Sequence, residues 1–161
     1  MSKPSVRQIV AALALALSAP IAFSQVVTYG APIDLETAKK VAAAAATEAR
    51  KNNFTMVIAV TDGAGDLVYL EKLDGTQTAS VEVALGKARA AARYKRPTKV
   101  FEDILTAGGN GWRILGLEGA VPIEGGVPIV VGGKLIGAIG ASGGSAPQDG
   151  QVAKAGAAAL N

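Results

Sequence analysis

Two periodicities alternate along the chain. Asp34 can cap a helix in which Leu35, Ala38, Ala42, Ala45 and Ala49 recur at spacings of three and four, a narrow small-residue stripe suited to close packing on a sheet. Residues 54–61 are then apolar and β-branched, Asp62-Gly63-Ala64-Gly65 reads as a turn, and residues 67–73 resume the strand pattern, which predicts a hairpin ended by Asp74-Gly75. A second alanine-rich helix is expected over 78–94. Pro97 stops it, and Thr98 can cap a short helix to Leu105 that gives way to a loop at Gly108-Gly109-Asn110-Gly111. Residues 112–121 show no clean period; a short strand is expected at 120–123.

The strongest local signal lies further on. Apolar runs at 127–131 and 135–141 flank Gly132-Gly133, and a Gly-Gly link favours a tight hairpin because both residues accept positive φ. The second run leads into Gly143-Gly144, Pro147 and a helix expected from Gln148 to Leu160. Free backbone N–H groups gather where that strand meets that helix, so a concavity for a ligand is expected there. Tight links within both strand pairs imply a mainly antiparallel sheet with helices packed on it, an α/β (α+β) class.

The N-terminus changes how the composition is read. Lys3 and Arg7 precede an apolar run at 9–22, and Ala22-Phe23-Ser24 has the small-x-small pattern of a signal peptidase site, so residues 1–24 are expected to be a cleaved signal peptide and the protein periplasmic or secreted. The run is shorter than the roughly 20 residues that span a bilayer, which argues against a retained anchor. Removing Lys3 and Arg7 takes the 16 basic residues to 14 against 13 acidic, a net charge of +1 rather than +3, so net charge points to no polyanion or nucleic-acid partner. Residues 25–161 suffice for one domain. Cysteine and histidine are both absent, which removes disulfides, thiolate chemistry and the commonest general base and metal ligand.

Chemistry must therefore come from what remains. Gly140-Ala141-Ser142-Gly143-Gly144 fits the G-x-S-x-G elbow of serine hydrolases, but no histidine exists to take the serine proton. A serine–lysine pair would need Lys72, Lys87 or Lys134; glycines that let the backbone approach a ligand are the simpler reading, with Ser142 donating a hydrogen bond. Arg89, Arg93 and Arg96 share one helical face and could hold a carboxylate or phosphate. Asp62, Asp66, Asp74, Glu124 and Asp149 lie at turns or strand ends in no spacing that resembles a calcium loop, so no metal site is expected. Asp149 suits the start of the last helix as well as it suits a ligand. Tyr29, Tyr69, Tyr94 and Met56 are the side chains here of types that ligate haem iron, Met56 reading as core.

Together, Gly125-Gly126-Val127-Pro128-Ile129, the run from Gly137 to Gly144, and Gln148-Asp149 resemble the signature of the GlcG/HbpS family of haem-binding-protein-like domains, also found attached to corrinoid adenosyltransferases. Asp62-Gly63, Ala84, Lys87-Ala88 and Arg96-Pro97-Thr98 are similar as well, and the likeness covers roughly residues 34–160. It implies a three-layer, profilin-like fold with a mostly antiparallel five-stranded sheet between helices, and assembly from dimers up to octamers. It also implies a ligand pocket drawn from Gly125, Gly126, Ser142, Gly143, Gly144, Gln148 and Asp149 with Asp62 and Lys87. The missing histidine is a departure from family members thought to use one for haem.

Three readings follow. The first is an exported homo-oligomeric binder of a small ligand, with haem or a related tetrapyrrole leading. The second is an enzyme acting on a small hydroxy or oxo carboxylate, in which Lys87 or Asp149 moves a proton. The third is an assembly protein whose small-residue faces serve only association.

Overall fold

A computed structural model describes residues 27–160. The expected signal peptide and its cleavage point at Ser24 lie outside the described residues. The order of elements is β1 (Thr28–Tyr29), α1 (Leu35–Lys51), β2 (Val57–Asp62), β3 (Leu67–Lys72), α2 (Ser80–Tyr94), α3 (Thr98–Thr106), a 3-10 helix (Gly109–Gly116), β4 (Gly126–Val131), β5 (Lys134–Ser142) and α4 (Ala146–Ala157).

Strand β5 is the spine of the five-stranded sheet. On one edge it pairs antiparallel with β4, and Gly132 and Gly133 turn the chain between them at φ 56° and 76°. Its other edge is shared. Antiparallel β2 takes residues 137–142, with Val57 opposite Ser142 and Asp62 opposite Gly137, and parallel β1 takes Lys134 and Leu135. Antiparallel β3 then extends the sheet from β2, with an irregularity between Val60 and Thr61. The mostly antiparallel, five-stranded α+β architecture expected from the sequence is therefore the architecture found; the two-residue parallel strand is the addition.

Side-chain alternation assigns the layers. Met56, Ile58, Val60, Ile139 and Ala141 face α1 and α4, where Ala38, Val41, Ala42, Ala45, Ala49, Val152 and Ala153 complete the main core. Val57 and Ala59 face the opposite way onto Ala84 and Leu85 of α2. Helix α2 lies very close to the sheet because a glycine stands beneath it: a Cβ on Gly140 would run into the Ala84 carbonyl and stand 2.7 Å from the Ala88 nitrogen. These two contacts fix α2, and with it Lys87, against β2 and β5.

Several local expectations change. Asp34 caps α1 through a 2.7 Å bond from the Thr37 N–H, but Leu35, the first helical residue, is 47% exposed and Val41 takes its place in the buried stripe. Residues 120–123 form no strand. The glycine loop at 108–111 is not open chain; from Gly109 it enters the 3-10 helix, whose Ile114 packs with Phe101 and Ala90. Pro97, not Thr98, is the residue that precedes α3, which frees the Thr98 hydroxyl to accept the Gly126 N–H at 2.9 Å. Helix α4 starts at Ala146, two residues before Gln148, with Pro147 in its first turn, where a missing N–H is harmless.

Candidate functional site

Most of the residues singled out in the sequence meet at one place, the junction of β5, α4 and the middle of α2. Lys87 reaches from α2 to Asp149 in the first turn of α4, with Nζ donating to Oδ2 at 2.6 Å and to the Ala141 carbonyl at 3.2 Å. The other carboxylate oxygen of Asp149 accepts the N–H groups of Gly143 and Gly144 at 3.1 and 3.0 Å. Asp149 therefore ties the end of β5, the glycine turn and the start of α4 to α2. Both side chains are enclosed, Lys87 at 1% and Asp149 at 5% exposure.

The glycines fit the same junction. Gly125 has φ 130°, and a Cβ there would stand 2.8 Å from Lys87 Nζ and 2.7 Å from the Ala141 carbonyl, so only glycine lets the chain pass. Gly126 presses on the Lys87 carbonyl, and Gly143 on Thr55 and Met56. Ser142 is buried, its hydroxyl 3.4 Å from that of Ser80. Gln148 closes a capping box, accepting the Ser145 N–H at 2.9 Å. Asp62 is the residue that does not join: it ends β2 at the opposite end from Val57, about 16 Å along the strand.

Beside this junction lies a second charged group that the sequence did not connect. Glu124 packs against Gly150, accepts from Lys154 at 2.7 Å, and its N–H donates to Glu102 at 2.6 Å. Its members come from α3, the strand approach and α4, which no local spacing could reveal. Chemically, Lys87 and Asp149 form an enclosed ion pair that holds the backbone turn.

Open space is found away from this junction as well. A cavity of about 420 Å³, mostly apolar, is lined by Tyr29, Gly30, Pro32, Asp62, Gly63, Ala64 and Arg93. It forms where β1 docks beside the turn after β2 and the end of α2. The Tyr29 hydroxyl donates to the Ala92 and Arg93 carbonyls at 3.3 and 3.2 Å, Lys95 Nζ sits 5.0 Å from the Tyr29 ring centre, and Gly63 lies against that ring. Asp62 Oδ1 accepts the Ala64 and Asp66 N–H groups, both at 2.9 Å, which shapes the turn as an Asx turn. A second, more polar cavity of about 510 Å³ runs between Arg50, Phe54 and Glu71–Asp74.

The three arginines expected to share a face separate. Arg89 donates from Nε to the Gly65 carbonyl at 3.2 Å and Arg93 from Nε to the Ala64 carbonyl at 2.9 Å, whereas Arg96 turns away toward Tyr94 and the Phe101 ring. The other tyrosines have structural contacts. Tyr94 donates to the Glu118 carbonyl at 2.6 Å, Tyr69 packs against the main core, and Met56 is fully buried in it. Among the described residues, no cluster of His, Cys, Asp or Glu is arranged to hold a metal ion, and no helix is long and apolar enough to cross a membrane.

Known proteins resemble this chain in sequence and fold. Protein GlcG of Escherichia coli K12 is 41% identical over 107 residues, spanning 66% of this chain and 78% of its own. The crystal structure of HbpS superposes with a TM-score of 0.75 at 31% identity, covering 84% of this chain and 94% of that one. The crystal structure of a PduOC:heme complex does so at 0.72 and 26% identity, covering 81% and 96%. Residues 33–158 match the family described as haem degrading protein HbpS-like, and the chain belongs to that HbpS-like family.

Proposed function

We propose that this protein is an exported, self-associating binder of haem or a related tetrapyrrole, with the ligand seated at the Tyr29 cavity. The observation that carries the reading is the cavity itself, a mostly apolar cleft lined by Tyr29, whose ring lies against Gly63, and by Arg93. A tetrapyrrole has matching chemistry: a flat apolar body and ionised carboxylates at one edge. The cleft is open, so it takes an edge of such a ring while the rest lies against the surface. Tyr29 and Arg93 would hold the group, and haem bound there would supply an iron capable of redox and ligand exchange. Membership of the HbpS-like family and the likeness to a haem complex support the choice of ligand.

Export rests on the cationic and apolar pattern of residues 1–24. Self-association is supported by the apolar side chains left at the surface of α3 and the 3-10 helix, Trp112 and Leu115 foremost. One set of experiments tests all three parts. Protein recovered from a bacterial periplasmic fraction should begin at Gln25, scatter light as a multimer, and give a saturable Soret shift with haemin that is lost in Tyr29→Phe. A protein that stays in the cytoplasm with Met1 intact removes export, a monomer removes self-association, and haemin that never saturates removes the ligand.

A further inference from the structure

Arg93 has an arrangement that its role in holding the turn does not use up. Its Nε is committed to the Ala64 carbonyl, which fixes the plane of the guanidinium at the cavity wall. Among the described residues, neither Nη has an acid partner in an ion pair. Arg89, one turn earlier on α2, is fixed the same way by Gly65, so two guanidiniums stand i, i+4 beside the turn. The nearest acid on the cavity wall, Asp62, has one oxygen occupied by two backbone N–H groups of its own turn. A planar guanidinium held by Nε presents its remaining N–H fork to a carboxylate without further ordering.

We infer that Arg93, supported by Arg89, is the specificity-determining residue of the Tyr29 cavity and selects ligands whose apolar body carries an ionised carboxylate. The inference rests on the proposed site and adds to it the part of the ligand that is read. Neutral esters of the same ring lose the contact, whereas metal-free rings keep it. Charge-assisted pairing of this kind is expected to favour the free acid about ten- to a hundredfold.

The test uses haemin, protoporphyrin IX and protoporphyrin IX dimethyl ester on the full chain, with Soret absorbance and porphyrin fluorescence as readouts in one detergent buffer. Wild-type protein should bind haemin and the free acid and bind the ester at least tenfold more weakly. Arg93→Gln should bring the free acid down to the ester's affinity and leave the ester unchanged; Arg93→Lys should retain part of the preference. Arginines that only hold the turn would weaken acid and ester alike, and that result, or equal wild-type affinity for the two, overturns the inference while haemin binding still upholds the proposed function. Failure of the wild type to bind haemin and both porphyrins overturns the two together. Matching melting curves establish that the variants are folded, and should Arg93→Gln not fold, the wild-type and Arg93→Lys comparisons decide.

Discussion

Replacing Lys87 with Met isolates the electrostatic part of the buried junction, since methionine keeps most of the apolar stem and removes the ammonium. Asp149 then remains enclosed, still accepting from Gly143 and Gly144 but with no countercharge. Removing one partner of a buried pair costs about 3–5 kcal/mol, and the two N–H bonds that Asp149 retains place this case near the lower end, about 3 kcal/mol. In a domain of this size that lowers Tm by about 10 °C. Urea denaturation followed by circular dichroism measures it directly. A second variant makes the test specific: Asp149→Asn keeps an acceptor for the loop amides, so the double variant should be less destabilised than the sum of the single ones by about 2 kcal/mol or more. Costs that add to within about 0.5 kcal/mol, or a Lys87→Met penalty below about 1 kcal/mol, would refute the view that this pair holds the junction.

The packing of α2 makes Gly140→Val a severe change, because the added atoms meet the Ala84 carbonyl and the Ala88 nitrogen, both backbone; a loss of at least about 3 kcal/mol is expected in the same urea assay. Leu35→Asp should by contrast change stability by no more than about 0.5 kcal/mol, as it places an acid at an exposed first-turn position; a drop of several degrees in Tm would show that Leu35 is packed after all. Asp34 sits below its ordinary value near 3.8 because the Thr37 N–H and its neighbours favour the carboxylate, and Glu48 sits below 4.5 because Gln151 does the same. Both folded-state values are depressed, so their stabilisation is complete above about pH 4.5 and fades as pH falls through the folded values. Melting curves from pH 6 to pH 2 should accordingly fall less steeply for Asp34→Ala than for the wild type, and parallel curves would contradict the assignment.

What was legible in the sequence followed from how local each feature is. The β4–β5 hairpin needed only Gly132-Gly133 and two apolar runs, and the cap of α1 needed only Asp34. Leu35 was misplaced because a first-turn residue can fit the helical period and still be left half exposed to solvent. Residues 120–123 carry strand-like residues, yet among the described residues they pair in no ladder. At the junction, Lys87, Gly125, Gly143, Gly144 and Asp149 were recognisable from the signature, but not their enclosure, which depends on the near-contact of α2 with the sheet. The Tyr29 cavity was invisible because its walls come from three separate stretches, and only β1 docking in parallel on β5 brings the first of them there.

That docking is slight: two ladder residues, the Tyr29 and Lys95 contacts, and a bond from the Gly30 N–H to the Leu135 carbonyl. The main core lies beyond this segment, so the arm can undock at far less expense than global unfolding, and each undocking erases one wall of the cavity. Arm and ligand are therefore thermodynamically linked. Whatever binds against Tyr29 must slow hydrogen exchange at Gly30 and Leu135, and whatever pins the arm must raise affinity by the same factor.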